Sequence, residues 1–314
     1  CISRKGVSSY LAVLYTAILT LWCKTVSAED GQHIQRGIDP LVSTEWLETH
    51  LKDPDLVVID IRSAEQYSKG HIAESIHVPT ENWWQTRDQL LLELPDPDTL
   101  RALIGRAGIR SGSKVVLVNA IDSDFDRSHP PYVGWTLICG GVKNVAILDG
   151  GYNKWVSENR AVSAETSRPR EEAYSGAFRG ELSVSKQYVE RRLSGMHNTA
   201  IVDSRSPEDF FGVSPVMFSS RSGHIPGAAC LPAAWAFTAQ GTFRGLQELE
   251  AMAEGIVGSD RGKPIIVYCG VGGFASTWWF IFSEVLGYRD VRLYSGSFQE
   301  WILDPQAPLI RYRW

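Results

Sequence analysis

Short β-branched runs alternate with longer stretches of helical periodicity along this chain. The runs fall at residues 57–59, 115–118, 201–202 and 265–267. Continuous apolar strands separated by helices predict a parallel sheet covered on both faces. In such sheets ligands sit beyond the carboxyl ends of the strands. The first thirty residues follow another pattern. Arg4 and Lys5 precede an apolar run from Tyr10 to Trp22, and Val26-Ser27-Ala28 offers a small-x-small cleavage site. That order is the order of a secretory signal. The run falls short of the about 20 apolar residues that a bilayer span requires. Cys23 invites a lipoprotein reading, but Trp22 before it is too bulky for that cleavage. Residues 1–28 are therefore read as a signal peptide. The mature chain is expected to be exported, periplasmic in a bacterium, with no stable membrane insertion after cleavage.

The pattern also repeats. Residues 55–79, "DLVVIDIRSAEQYSKGHIAESIHVP", match residues 198–232, "NTAIVDSRSPEDFFGVSPVMFSSRSGHIPGAACLP". Each gives an apolar strand ending in Asp-x-Arg (Asp60/Arg62, Asp203/Arg205), a helical stretch, Gly-His-Ile and a second apolar segment. His71 follows Arg62 by nine residues and His224 follows Arg205 by nineteen, so the second copy carries an insertion. Further on, "SKVVLVNA" (113–120) parallels "GKPIIVYC" (262–269), and "VKNVAILDGGYNKW" (142–155) parallels "YRDVRLYSGSFQEW" (288–301). Landmarks recurring in one order at domain-sized separation mark a duplicated domain. Residues 163–181, polar and without apolar periodicity, read as the linker.

Composition narrows the function. A chain of 314 residues, 44% hydrophobic and 21% charged, can bury two cores. A formal charge of −5 gives no basic footprint for nucleic acid, so any anion site must be local. No Cys/His cluster has metal-ligand spacing, and neither a metal nor a cofactor is expected. Cys139, Cys230 and Cys269 remain after signal cleavage. An odd number in an exported chain leaves at least one free or intermolecular thiol.

Cys269 ends the run 265–268 and is followed by Gly270, Val271, Gly272, Gly273, Phe274 and Ala275 before a tryptophan-rich helical pattern. Glycines there permit positive φ and close approach of the backbone. Successive amides and a helix N-terminus would form an anion nest, lowering the thiol pKa and holding an anionic persulfide. On the loop alone, a core cysteine beside a tight turn explains the sequence equally well. The repeat decides between them. Six residues after Lys263 stands Cys269, whereas six after Lys114 stands Ala120, followed by the longer acidic loop "AIDSDFDRSHPP". One copy reads as catalytic and the other as structural.

These residues resemble the tandem-domain sulfurtransferases of the rhodanese and 3-mercaptopyruvate sulfurtransferase family. The likeness is carried by the Cys269 loop, "VDSR" (202–205), "GHIPGA" (223–228), "LDGGYNKW" (148–155) and "YSGSFQEW" (294–301), and spans about residues 38–314. It implies an α/β fold of two tandem rhodanese-like domains, each a mostly parallel sheet flanked by helices. Residues 38–162 would be the non-catalytic domain and 182–314 the catalytic one. It further implies that Cys269 takes a sulfane sulfur from a small donor of thiosulfate or 3-mercaptopyruvate type. The resulting persulfide would pass its sulfur to cyanide or a thiol, with a thioredoxin-like reductant as a further partner.

Departures from the family pattern bear on the substrate. Thiosulfate users carry basic residues in the loop, whereas "GVGGFA" holds no charge. Mercaptopyruvate users place a hydroxyl where Val271 stands, and the family's substrate arginine falls at Asp209. Thiosulfate is therefore expected to be a poor donor. Asp203, Arg205 and Arg221 are the candidate substrate or supporting residues. Arg205 is expected to pair with Asp203 and organise the strand end, with substrate contact as the alternative, and Arg221 is expected to be an exposed anion ligand or a solvated side chain. His71 and His224 read as scaffold residues. Phosphatases of this fold need an arginine six residues after the cysteine, where Ala275 stands, which argues against that chemistry. A non-enzymatic persulfide carrier or partner-binding module remains the alternative.

Overall fold

The computed structural model describes residues 36–195, 198–214 and 221–314. The signal-peptide reading and part of the second-copy insertion, residues 215–220, lie outside them. Twelve strands form among the described residues: β1 (Leu41–Val42), β2 (Leu56–Asp60), β3 (Ile76–His77), β4 (Gln85–Arg87), β5 (Leu90–Glu93), β6 (Lys114–Val118), β7 (Asn144–Leu148), β8 (Ser183–Val184), β9 (Ala200–Asp203), β10 (Ala228–Cys230), β11 (Ile265–Tyr268) and β12 (Val291–Tyr294). One sheet runs β1-β7-β6-β2-β3 and the other β8-β12-β11-β9-β10. Every pairing within both is parallel. The two orders correspond strand for strand, so the repeat in sequence is a repeat in topology. Helices cover both faces, which is why the central strands are apolar throughout rather than alternating.

Local signals account for the elements. Ser63 caps the helix Ala64–Lys69 in a reciprocal box with Gln66. Ser206 does the same work for Pro207–Phe211 in the second copy, accepting from the Asp209 amide, with Pro207 opening the helix. The acidic segment read as a loop after Ala120 is corrected by the structure, because most of it is helical. The helix Asp124–Cys139 takes in both Pro130 and Pro131. Ser123 caps it, and Asp124 and Asp126 occupy its first turn, where the helix dipole favours negative charge. Pro130 lacks the N–H that would bond the Asp126 carbonyl. Asn119 Nδ2 donates to that carbonyl instead, at 2.7 Å.

Residues 36–314 form one compact unit. The helix Asp124–Cys139 of the first domain packs against Gly273–Phe280, the helix that follows Cys269. Gly134 lies at this crossing, where a β-carbon would stand 3.2 Å from the Phe280 ring. Trp135, Trp278 and Trp279 are fully buried in the same apolar cluster. The linker is anchored along the first domain. Ser163 bridges His71, the Glu172 amide bonds Gly105 O at 2.9 Å, and the Arg179 amide bonds Cys139 O at 2.7 Å.

Candidate active site around Cys269

All four residues of β11 are buried, and the strand delivers Cys269 to its carboxyl end. The side chain is 1% exposed. Gly272 turns the chain at φ +98°, and a β-carbon there would meet the Ser295 carbonyl at 3.2 Å. Of the three loop glycines only this one requires the left-handed region. The turn aims the Gly272 N–H at Sγ, 3.1 Å away, and the Val271 and Ala275 amides also face the sulfur. The helix Gly273–Phe280 begins at once, with Gly272 as its N-cap.

A second layer fixes the loop from behind. The Cys269 amide donates to Ser297 Oγ at 3.3 Å, and that hydroxyl donates to Tyr294 O at 2.8 Å. The amides of Phe298 and Gln299 bond the carbonyls of Cys269 and Gly270, each at 2.9 Å. The first turn of the helix Ser297–Leu303 thus holds both loop carbonyls. Reading the sequence did not single out Ser297 or Gln299. The signal was present in the repeat, since they stand where Gly151 and Asn153 stand in the copy without the thiol.

The expectation of a lowered thiol pKa is overturned. Burial raises the Cys269 pKa above the ordinary thiol value; the amides of Ala275, Val271 and Gly272 pull it down, and Asp203 pushes it up. Desolvation outweighs the amides because the sulfur is enclosed. Burial thus favours the protonated thiol, while the three amides face the sulfur as donors.

Asp203 and Arg205 form the expected pair. Arg205 Nε lies 3.0 and 3.1 Å from the two carboxylate oxygens of Asp203, and Arg205 also donates to Gly223 O at 2.7 Å. Asp203 is 0% and Arg205 5% exposed. The guanidinium lies 3.9 Å from the centre of the Phe298 ring. Asp60 and Arg62 repeat the arrangement, with Gly70 O and Tyr152 as the other partners. A motif present with and without the thiol is a scaffold motif. The histidines behave likewise, His71 stacking on Tyr67 and His224 on Phe210, each pair at 3.7 Å.

Arg221 departs from both of its expectations. It is half-buried, and its guanidinium donates to the carbonyls of Ile302, Asp304 and Ala307. It secures the C-terminal end of the last helix. Cys139, Cys230 and Cys269 are all free thiols. Cys139 is fully buried, and burial holds its pKa well up. Cys230, half-buried beside Asp203, is pushed up to about 12, first by burial and then by that carboxylate.

The first domain reaches the loop in two places that the sequence did not disclose. Phe125 meets Phe274 edge-to-face, with ring centroids 6.3 Å apart, and continues through His129 to Trp84. The β4–β5 hairpin sets Leu92 against the loop, where a β-carbon on Gly273 would lie 3.4 Å from it. Among the described residues, no group of three or more His, Cys, Asp or Glu is placed to hold a metal ion. Nor is any described helix long and apolar enough to cross a membrane.

Comparison with known proteins agrees with this arrangement. The profile described as "Rhodanese-like domain" matches residues 43–158 and 185–304. "Sulfur carrier protein TtuD" of Thermus thermophilus is 32% identical over 273 residues, 83% of this chain and 93% of that one. A protein of Mycolicibacterium smegmatis named "Putative thiosulfate sulfurtransferase" is 31% identical over 273 residues, 84% of this chain and 94% of that one. Among solved structures, wild-type EanB aligns with a TM-score of 0.74 at 22% identity, covering 87% of this chain and 69% of that chain. The anaerobic ergothioneine biosynthesis enzyme from Chlorobium limicola, bound to trimethyl histidine, aligns with a TM-score of 0.74 at 21% identity, covering 87% and 70%.

Proposed function

Because the chain belongs to the rhodanese family as a tandem pair of rhodanese-like domains, we propose that it is a sulfurtransferase working through a Cys269 persulfide. The observation that carries this reading is the convergence of the Val271, Gly272 and Ala275 amides on a thiol at the carboxyl end of a central parallel strand. Three amides on one sulfur suit a site that must hold a negative sulfur atom.

In the first step the Cys269 thiol gives up its proton, which the departing group takes up, and its sulfur attacks the outer sulfur of the donor. An S–S bond forms, and the donor's bond to that sulfur breaks with its electron pair. Thiosulfate would release sulfite, and 3-mercaptopyruvate would release the enolate of pyruvate. In the second step cyanide or a thiolate attacks the outer sulfur, and the Cys269 thiolate leaves. The raised thiol pKa favours a donor whose leaving group takes up the thiol proton. The enolate does so in becoming pyruvate, whereas sulfite is a far weaker base. The uncharged loop favours the same donor, since a dianion entering an enclosed site without a cation loses hydration that nothing replaces. The preferred donor is therefore of the 3-mercaptopyruvate type.

The test is a donor panel of thiosulfate, 3-mercaptopyruvate and polysulfide with cyanide as acceptor, combined with mass-spectrometric trapping of the persulfide. Sulfur found on Cys139 or Cys230, or turnover retained by Cys269→Ser, would overturn the reading. A carrier reading keeps support from the relative named as a sulfur carrier. Stoichiometric loading of Cys269 without repeated turnover would favour it. Export stays part of the proposal and rests on residues 1–28; fractionation of tagged protein tests it.

A further inference from the structure

We infer that Gln299 is a positioning residue through which the first domain, which carries Ala120 in place of a loop cysteine, holds the Cys269 loop closed. This inference rests on the proposed function for its activity arm only. The Gln299 side chain is 7% exposed and bonds across the domain boundary with both ends of its amide. Leu91 N–H donates to Gln299 Oε1 at 3.1 Å, and Gln299 Nε2 donates to Leu91 O at 2.9 Å. A side-chain amide here pairs with one backbone residue as a neighbouring strand would.

The pair is connected at each end to rigid structure. On the second-domain side, the Gln299 amide bonds Gly270 O and the Phe298 amide bonds Cys269 O. On the first-domain side, Leu91 belongs to β5, and Tyr132 Oη donates to the next carbonyl, Leu92 O, at 2.6 Å. Tyr132 is itself buried in the helix that packs on Gly273–Phe280. Leu92, with φ +56°, rests against the Gly273 position of the loop. Releasing Gln299 frees β5 from the loop it covers. Water then reaches Sγ, and the amides lose their fixed aim.

The molecule contains its own control. A separate contact crosses the boundary in the other direction, where Phe243 N–H of the second domain donates to Asp149 Oδ1 at 2.8 Å. Asp149 stands where Ser295 stands in the catalytic copy, and Ala120 replaces the thiol beside it. Loosening that contact disturbs the same boundary without touching the Cys269 loop.

The experiment compares Gln299→Leu, Gln299→Glu and Asp149→Ala in the full chain with Cys230→Ser as background. Three quantities are read: the pH profile of Cys269 alkylation by iodoacetamide, kcat and KM for sulfur transfer, and the unfolding midpoint. Gln299→Leu is expected to speed alkylation at neutral pH about tenfold and to lower kcat more than it raises KM, because an opened site is wetter and less ordered. Gln299→Glu keeps the acceptor, loses the donor and should fall between, which keeps the test decisive if the leucine variant does not fold. Asp149→Ala should lower the midpoint yet leave the alkylation profile within about twofold of the parent. Unchanged alkylation in both Gln299 variants, or an equal shift in Asp149→Ala, overturns the inference. Absence of sulfur transfer in the parent protein would refute the functional reading alone, since alkylation still decides the role of Gln299.

Discussion

Replacing Arg205 with methionine separates the scaffold reading of the Asp203–Arg205 pair from a substrate-binding one. The substitution keeps an unbranched apolar stem and removes the guanidinium and its charge. It leaves the Asp203 carboxylate, 0% exposed, without the two bonds from Nε and the further bond from the guanidinium at 2.5 Å. Breaking a buried pair by removing one partner costs about 3–5 kcal/mol, because the remaining charge stays buried. The contact with Phe298 adds about 0.5–2 kcal/mol for a cation over an aromatic face. Arg205→Met should therefore lower stability by about 3.5–7 kcal/mol. Arg62→Met, breaking the matching pair with Asp60, should cost a similar amount. Urea denaturation followed by tryptophan fluorescence measures both, with the slope checked so that midpoint shifts report stability. If Arg205 bound substrate instead, Arg205→Met would raise KM for anionic donors while losing about 1 kcal/mol or less, the usual range for a solvated ion pair. That result would refute the scaffold argument, as would a large loss at Arg205 with none at Arg62.

Four further outcomes are expected. Gly272→Ala should cut sulfur transfer sharply in a folded protein, at a cost of about 1–2 kcal/mol for a side chain in the left-handed region, whereas Gly270→Ala should be tolerated because its β-carbon meets nothing within 4 Å. The alkylation rate of Cys269 should still be rising with pH above the ordinary thiol range, since burial raises its pKa; a plateau near neutrality would contradict this. Glu93→Gln should stabilise the protein near neutral pH by less than about 1 kcal/mol, the carboxyl being partly open to water. Burial first, and then Glu300, raise the folded-state pKa of Glu93, so the penalty it causes sets in as pH rises through the carboxylate range; below that range the gain should vanish. Specificity for 3-mercaptopyruvate should exceed that for thiosulfate, and because Arg221 is bonded to three carbonyls, Arg221→Ala should leave the ratio unchanged.

The duplication, the parallel sheets and the position of Cys269 were legible because each rests on local patterning. β-branched runs, Asp-x-Arg strand ends and Gly-His-Ile recur in order, and the alignment of Lys114 with Lys263 placed the thiol. The buried Asp203–Arg205 pair was legible for a related reason, since a charge at the end of an apolar strand requires a partner. The thiol pKa was misjudged because the amides of 271, 272 and 275 are local, whereas desolvation is set by everything packed around the loop. Leu92 and Phe125, which meet it, lie well over a hundred residues earlier. Arg221 was misplaced for the same reason, its carbonyl partners lying about eighty residues on. The helix Asp124–Cys139 was hidden by its prolines. Only the tertiary position of Asn119, which bonds the carbonyl that Pro130 leaves open, explains why it continues.

These misses share a cause that bears on why the chain keeps a domain without a cysteine at the loop position. On the proposed function, sulfur chemistry in one loop needs one nucleophile, so the first copy can carry Ala120 in place of that cysteine. It could not lose its surface in the same way. The helix carrying Tyr132 and Gly134 is packed on the helix that starts at the active loop, and the hairpin carrying Leu91 and Leu92 covers that loop. The second domain returns the contact through Phe243 and Asp149. Each domain thus completes the strand ends of the other, and the boundary is reciprocal although the chemistry is not. The second domain expressed alone would expose Phe274, Phe280 and the face of the Cys269 loop that Leu92 covers to water. On this argument residues 182–314 by themselves should aggregate or bind a hydrophobic dye strongly. An isolated second domain that stayed monomeric and fully active would show that the first copy is dispensable, and the account of its retention would fail.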